Sequence, residues 1–192
     1  MTSKTLYSLA GGLLVAALLL SSAPAHALSS VDCATVNLDL ADAKAAKTCS
    51  EGDIGENMWH GTAQEMNAKG EGYFLHVRRV KAGFRSYIDV VDVRYFATDY
   101  ARDLFVTPVQ VIAHDTVSGY AIALFSGRLQ AEPKRALDCF VFSRYGGTLN
   151  PRGGFSGAPG YANVVHGGYC TDKGISDTAI ERVLGELRAP VE

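Results

Sequence analysis

His76 and Asp89 stand at a spacing that would bring them face to face across a β-hairpin. If Ala82-Gly83 forms a two-residue turn, His76 lies opposite Asp89 and Arg78 opposite Tyr87 on one face. Tyr73, Leu75 and Val77 then meet Ile88 and Val90 on the other, apolar face. A histidine facing a carboxylate is a minimal acid/base dyad. It is also the ordinary cross-strand ion pair of a sheet with one wet face, and that plainer reading is the stronger. In both readings the carboxylate favours the imidazolium, so the pairing predicts a raised His76 pKa.

Ser156 is a separate candidate, as a nucleophile. It sits in "GFSGA", whereas the nucleophile elbow of serine hydrolases needs glycine two residues after the serine, where this chain has Ala158. The surrounding stretch "RYGGTLNPRGGFSGAPGY", residues 144–161, has neither G-x-G-x-x-G nor G-x-x-x-x-G-K-[ST], so it offers no phosphate cradle. It reads first as a long connection between two strands tied at their feet by Cys139 and Cys170. Its second reading is recognition. Arg144, Tyr145, Arg152, Phe155 and Tyr161 form a basic and aromatic set with no acid among residues 144–161, suited to an acidic, aromatic or carbohydrate partner.

His60, His76, His114 and His166 fall in four separate segments without the H-x-x-x-H or H-E-x-x-H spacing of a zinc site on one helix. The expectation is no metal and no cofactor. His114 and Asp115 are adjacent in a strand and point to opposite faces. Trp59 beside His60 could stack a sugar ring, but a lone tryptophan in a strand is more often core.

The elements that must position these residues are mainly strands. From Glu56 the chain alternates in short segments rich in β-branched and aromatic residues: "ENMWHGTAQEM", "GYFLHVRRV", "RSYIDVVDVRYF", "VTPVQVIAHD", "GYAIALFSG", "LDCFVFSRY" and "YANVVHGGYC". Turn signals at Asn67-Ala68-Lys69-Gly70, Ala82-Gly83 and Ser118-Gly119 separate them. "TDYARDLF", residues 98–105, is ambiguous between strand and helical turn. Ahead of the strands, an alanine-rich stretch predicts a short helix over about residues 38–48. At the end, Ile180, Val183, Leu184 and Leu187 form an i, i+3, i+4, i+7 stripe, and Thr178 to Glu181 has capping-box spacing, which predicts an amphipathic C-terminal helix. The expected fold is α+β: one domain over residues 28–192, an antiparallel sheet of six to seven strands, the two helices and two disulfides.

Residues 1–27 read as a cleaved secretory signal: Lys4, the apolar run Leu9–Leu20, then "SSAPAHA" ending at Ala27. The run is too short to span a bilayer, which takes roughly 17 residues or more. Ser30-Val31-Asp32 ahead of Cys33 lack the small apolar residues that precede a lipidated cysteine. The expectation is a periplasmic or extracellular protein. In such a compartment Cys33, Cys49, Cys139 and Cys170 form disulfides by default, and no C-x-x-C motif argues otherwise. The preferred pairing is Cys33 with Cys49 and Cys139 with Cys170. One straight helix from 33 to 49 would hold its ends roughly 24 Å apart at 1.5 Å per residue, so that first pairing requires the helix to start near Leu38.

The chain has 18 basic and 20 acidic residues, and losing Lys4 with the signal raises the acidic excess from two to three. That excludes the basic surplus a nucleic-acid binder needs. The leading function is an exported binding or accessory domain without catalytic machinery, its partner a protein or carbohydrate of the cell envelope. The alternative is a small envelope hydrolase using His76 and Asp89, or Ser156.

Overall fold

The computed structural model describes residues 28–55, 61–83, 86–106, 110–150 and 160–191. Eight strands form one antiparallel sheet, one more than the upper sequence expectation. They are β1 (Ser29–Val31), β3 (Ala46–Ile54), β4 (Gly61–Gly70), β5 (Tyr73–Ala82), β6 (Ile112–Val117), β7 (Tyr120–Arg128), β8 (Ala136–Asn150) and β9 (Gly160–Thr171), in the order β1-β3-β4-β5-β9-β8-β7-β6. A separate two-stranded ribbon joins β2 (Asp39–Leu40) to β10 (Leu187–Arg188). The helices are α1 (Val93–Leu104) and α2 (Asp177–Glu186).

Each helix covers a different face of the sheet. Ile180, Val183 and Leu184 of α2, with Leu38 and Leu40, pack on Met66, Leu75, Val77, Ile122, Phe140, Phe142 and Val165. Val93, Ala97 and Ala101 of α1 pack on Ala123, Phe125, Cys139, Val141 and Cys170 from the other side. In β8, successive residues feed opposite cores: Cys139 and Val141 point to α1, Phe140 and Phe142 to α2. "CFVF" is therefore a continuous apolar run, the pattern of a strand buried on both faces.

The expected helix over about residues 38–48 is absent. Leu38 and Leu40 are buried against α2, Asp39–Leu40 pair with β10, and from Ala46 the chain runs as β3 along β4. Lys47 Nζ donates to Asp39 Oδ1 at 2.8 Å and closes this turn. Intrinsic propensity is a weak preference, and pairing with β4 and β10 overrides it here.

The second correction runs the other way. "RSYIDVVDVRYF" is not one strand: Ile88 makes a single bridge to Tyr161, and α1 begins at Val93. Asp92 caps the helix, its Oδ1 accepting from Arg94 N at 2.9 Å. Val93, Phe96, Ala97, Tyr100, Ala101 and Leu104 then form one helical stripe. The ambiguous segment 98–105 belongs to this helix. In the first turn of the helix Val93, Tyr95 and Phe96 imitate a strand, and the period becomes visible only when the window extends to Leu104.

Of the turns expected from the sequence, one moves and one stays where it was expected. Asn67-Ala68-Lys69-Gly70 belong to β4, and the turn into β5 is Glu71-Gly72, with Gly72 at φ 76°. Ser118-Gly119 is the turn expected between β6 and β7, with both residues at positive φ. Of residues 144–161, the described ones are strand: β8 continues to Asn150, β9 starts at Gly160, and the two pair up to those residues, while 151–159 lie outside the described residues.

Both disulfides form as expected, Cys33–Cys49 and Cys139–Cys170. Cys139 stands directly opposite Cys170 in the β8–β9 register, with 4.1 Å between Cα atoms, so this bridge clasps two central strands. The first ties the short 3-10 turn at Cys33–Thr35 to β3.

Candidate functional site

β5 does not form a hairpin with the segment that follows it. It lies between β4 and β9, so the residues beside His76 are Asn67 and Gly168, and those beside Arg78 are Glu65 and His166. The expected His76–Asp89 dyad is not formed: Asp89 lies in the exposed segment after the Ile88 bridge. Nor is the face carrying His76 fully open to solvent: His76 and Arg78 are half-buried there. It is the face beneath α1, and three side chains fill the space there.

Tyr100 of α1 points its hydroxyl at His76 Nδ1, a direct hydrogen bond. Gly168, opposite His76, makes room for this contact, since a Cβ there would come within 3.2 Å of the Tyr100 ring. One turn earlier, Phe96 stacks on His166 with ring centroids 4.6 Å apart. Arg78 stands opposite His166 and two residues along β5 from His76, its Nε 3.3 Å from Glu65 Oε1. That ion pair lacks hydrogen-bond alignment. Arg78 Nε and His166 Nδ1 are buried atoms without hydrogen-bond partners among the described residues.

The electrostatics follow from this burial. Desolvation lowers the His76 pKa, with Glu65 opposing and Arg78 reinforcing the shift, the reverse of the rise expected from a facing carboxylate. Desolvation, then Arg78 and His76, lower His166 to about 4. Burial raises Tyr100, so it stays a neutral donor. The cluster is thus two neutral imidazoles, a phenol and one ion pair packed between helix and sheet. Sequence reasoning placed His76 and Arg78 on one face. It missed Tyr100 and Glu65 and did not bring His166 to this face, because a face shared by three strands and a helix is set by sheet order.

The remaining sequence candidates separate. Arg144 is exposed on the α2 side of the sheet, its guanidinium carbon 5.5 Å from the Tyr120 ring centroid. Tyr145, the next residue, points the other way: it donates to Val91 O at 3.3 Å and pairs with Tyr161 at 5.3 Å between ring centroids. Of the described members of the set, Arg144 therefore lies on a different face from Tyr145 and Tyr161. Trp59, His60, Arg152, Phe155 and Ser156 lie outside the described residues. His114 is remote from His76 and His166, its Nε2 3.3 Å from Asp177 Oδ1 at the start of α2. Among the described residues no group of three or more metal-ligating side chains comes together.

A groove of about 560 Å³ opens on the α2 side, away from the histidines. Leu40, Tyr73, Leu75, Tyr169 and Val183 line its apolar part. Three short walls enclose it: Ala41–Lys44 between β2 and β3, α2 at Arg182 and Glu186, and Glu71 with Thr171 and Lys173 at the ends of β4 and β9. Tyr73 donates to Asp42 Oδ2 at 2.6 Å, which fixes the first wall against the sheet. Burial, then this carboxylate, raise the Tyr73 pKa, and the same bond lowers that of Asp42. No sequence motif marks the groove, whose lining comes from four separate stretches of chain.

No protein-family model, curated protein or solved structure matches the chain.

Proposed function

We propose that the protein is an exported, disulfide-stapled binding domain, and that the groove beside α2 is where it takes its ligand. One observation carries the reading: the groove and the two buried histidines are on opposite faces of the sheet. An enzyme brings its acid/base groups into the cavity that holds substrate. Here the imidazoles are packed under Phe96 and Tyr100, while the groove is bordered by flexible charged side chains over an apolar floor. Export is supported by the sequence of residues 1–27 and by two disulfides that use every cysteine. No described helix is long and apolar enough to cross a membrane.

Two measurements test this. Full-length chain produced in a bacterium should be recovered outside the cytoplasm, beginning at Leu28 and free of reactive thiols. Retention of residues 1–27 in a cytoplasmic product defeats the export half. A hydrolytic activity that His76→Ala abolishes while the fold persists defeats the binding half and restores an enzyme.

A further inference from the structure

Resting on that reading of the groove, we infer that its ligand is a short peptide bearing both a free ammonium and a free carboxylate. Each wall contributes one acid and one base: Asp42 with Lys44, Glu71 with Lys173, and Glu186 with Arg182. Of these six, Asp42 alone is engaged, by Tyr73. The charged groups of Lys44, Glu71, Lys173, Arg182 and Glu186 make no ion pair or hydrogen bond with one another or with any other described residue. Even Arg182 and Glu186, one helical turn apart, stay unpaired, although i, i+4 neighbours reach each other readily. Charges of both signs around one apolar floor complement a ligand that carries both signs at its ends and apolar matter between them. A purely anionic ligand would face Glu71 and Glu186. A purely cationic one would face Lys44, Lys173 and Arg182.

The floor argues against a sugar. Carbohydrate recognition needs an open aromatic face, and the two tyrosines here are engaged within the protein. Their rings stack on each other with centroids 5.4 Å apart, and Tyr73 lies so close over Gly70 that a Cβ there would come within 2.1 Å of it. Tyr169 is only 7 % exposed. Leu40, Leu75 and Val183 lie deeper still, at 1 to 5 % exposed, so the floor offers a ligand a shallow apolar contact and the charged walls dominate its recognition. The groove volume falls within the range of roughly 300 to 1,000 Å³ usual for small-ligand sites.

The test is an NMR titration of the full mature chain with five probes: the tripeptide Ala-Leu-Ala with free termini, its forms capped at the amine, at the carboxylate and at both, and a neutral trisaccharide. The free tripeptide should shift the amide signals of residues 41–44, 73 and 182, and each cap should weaken binding at least tenfold. Lys44→Glu and Arg182→Glu, both at exposed positions, should weaken it similarly while leaving the remaining spectrum unchanged. Groove shifts of equal strength from a singly capped peptide or from the trisaccharide would overturn the ligand class and leave the groove as the binding site. No groove shift from any probe would overturn both.

Discussion

The imidazole of His166 lies nearly parallel to the ring of Phe96, at 13° between planes, so a histidine of the central sheet is roofed by the first helix. Arg78, His76, Glu65 and Tyr100 are the charged or titratable groups around it. The folded protein therefore keeps His166 neutral down to about pH 4, whereas an unfolded histidine takes up its proton near pH 6.5. Between those values the unfolded chain binds more protons, so stability falls as pH falls. The contribution is complete above the unfolded pKa and lost once pH passes below the folded one. His76, shifted in the same direction, adds to the slope. Chemical denaturation from pH 7 to pH 4 should show this decline, and His166→Leu should flatten part of it. A variant with the wild-type slope would show that His166 is not buried neutral.

Tyr100→Phe tests the neighbouring contact. It removes the hydroxyl that His76 Nδ1 accepts from and leaves that nitrogen under the helix without a donor. A loss of about 1 to 3 kcal/mol is expected for a buried acceptor left unsatisfied. A variant as stable as the parent would mean that water reaches His76 freely.

Two glycines should respond in opposite senses. At Gly167 a Cβ would come within 2.3 Å of the His76 carbonyl oxygen and 2.7 Å of Phe142, so Gly167→Ala should cost about 1 to 3 kcal/mol through overpacking. At Gly185 in α2 nothing lies within 4 Å, and Gly185→Ala should stabilise by up to about 1 kcal/mol through helix propensity. Urea denaturation of both variants measures the contrast, and a neutral Gly167→Ala would contradict the close β5–β9 approach.

The bridges close 16- and 31-residue separations. Chain entropy assigns each roughly 3 to 4 kcal/mol, which for a domain of this size means a melting temperature lower by on the order of 10 °C per lost bridge. Paired Cys→Ser variants, melted separately, should each show a drop of this order. An unchanged melting temperature for Cys139→Ser/Cys170→Ser would mean that the β8–β9 register holds without its clasp.

By itself the sequence determined the features set by neighbours along the chain. The α2 stripe of Ile180, Val183 and Leu184, the Ser118-Gly119 turn and most strands were legible because a local period or a local backbone requirement encodes them. Both cysteine pairings were legible too, since short separations and an oxidising compartment leave few alternatives. The tertiary structure alone decided which strands lie side by side. Placing β9 rather than the following segment beside β5 separated His76 from Asp89, gathered His76 with His166 and covered both with α1. It likewise turned residues 46–48 from predicted helix into strand. Sheet order depends on burying two apolar faces at once, and that requirement couples residues far apart in the chain, where no local pattern records it.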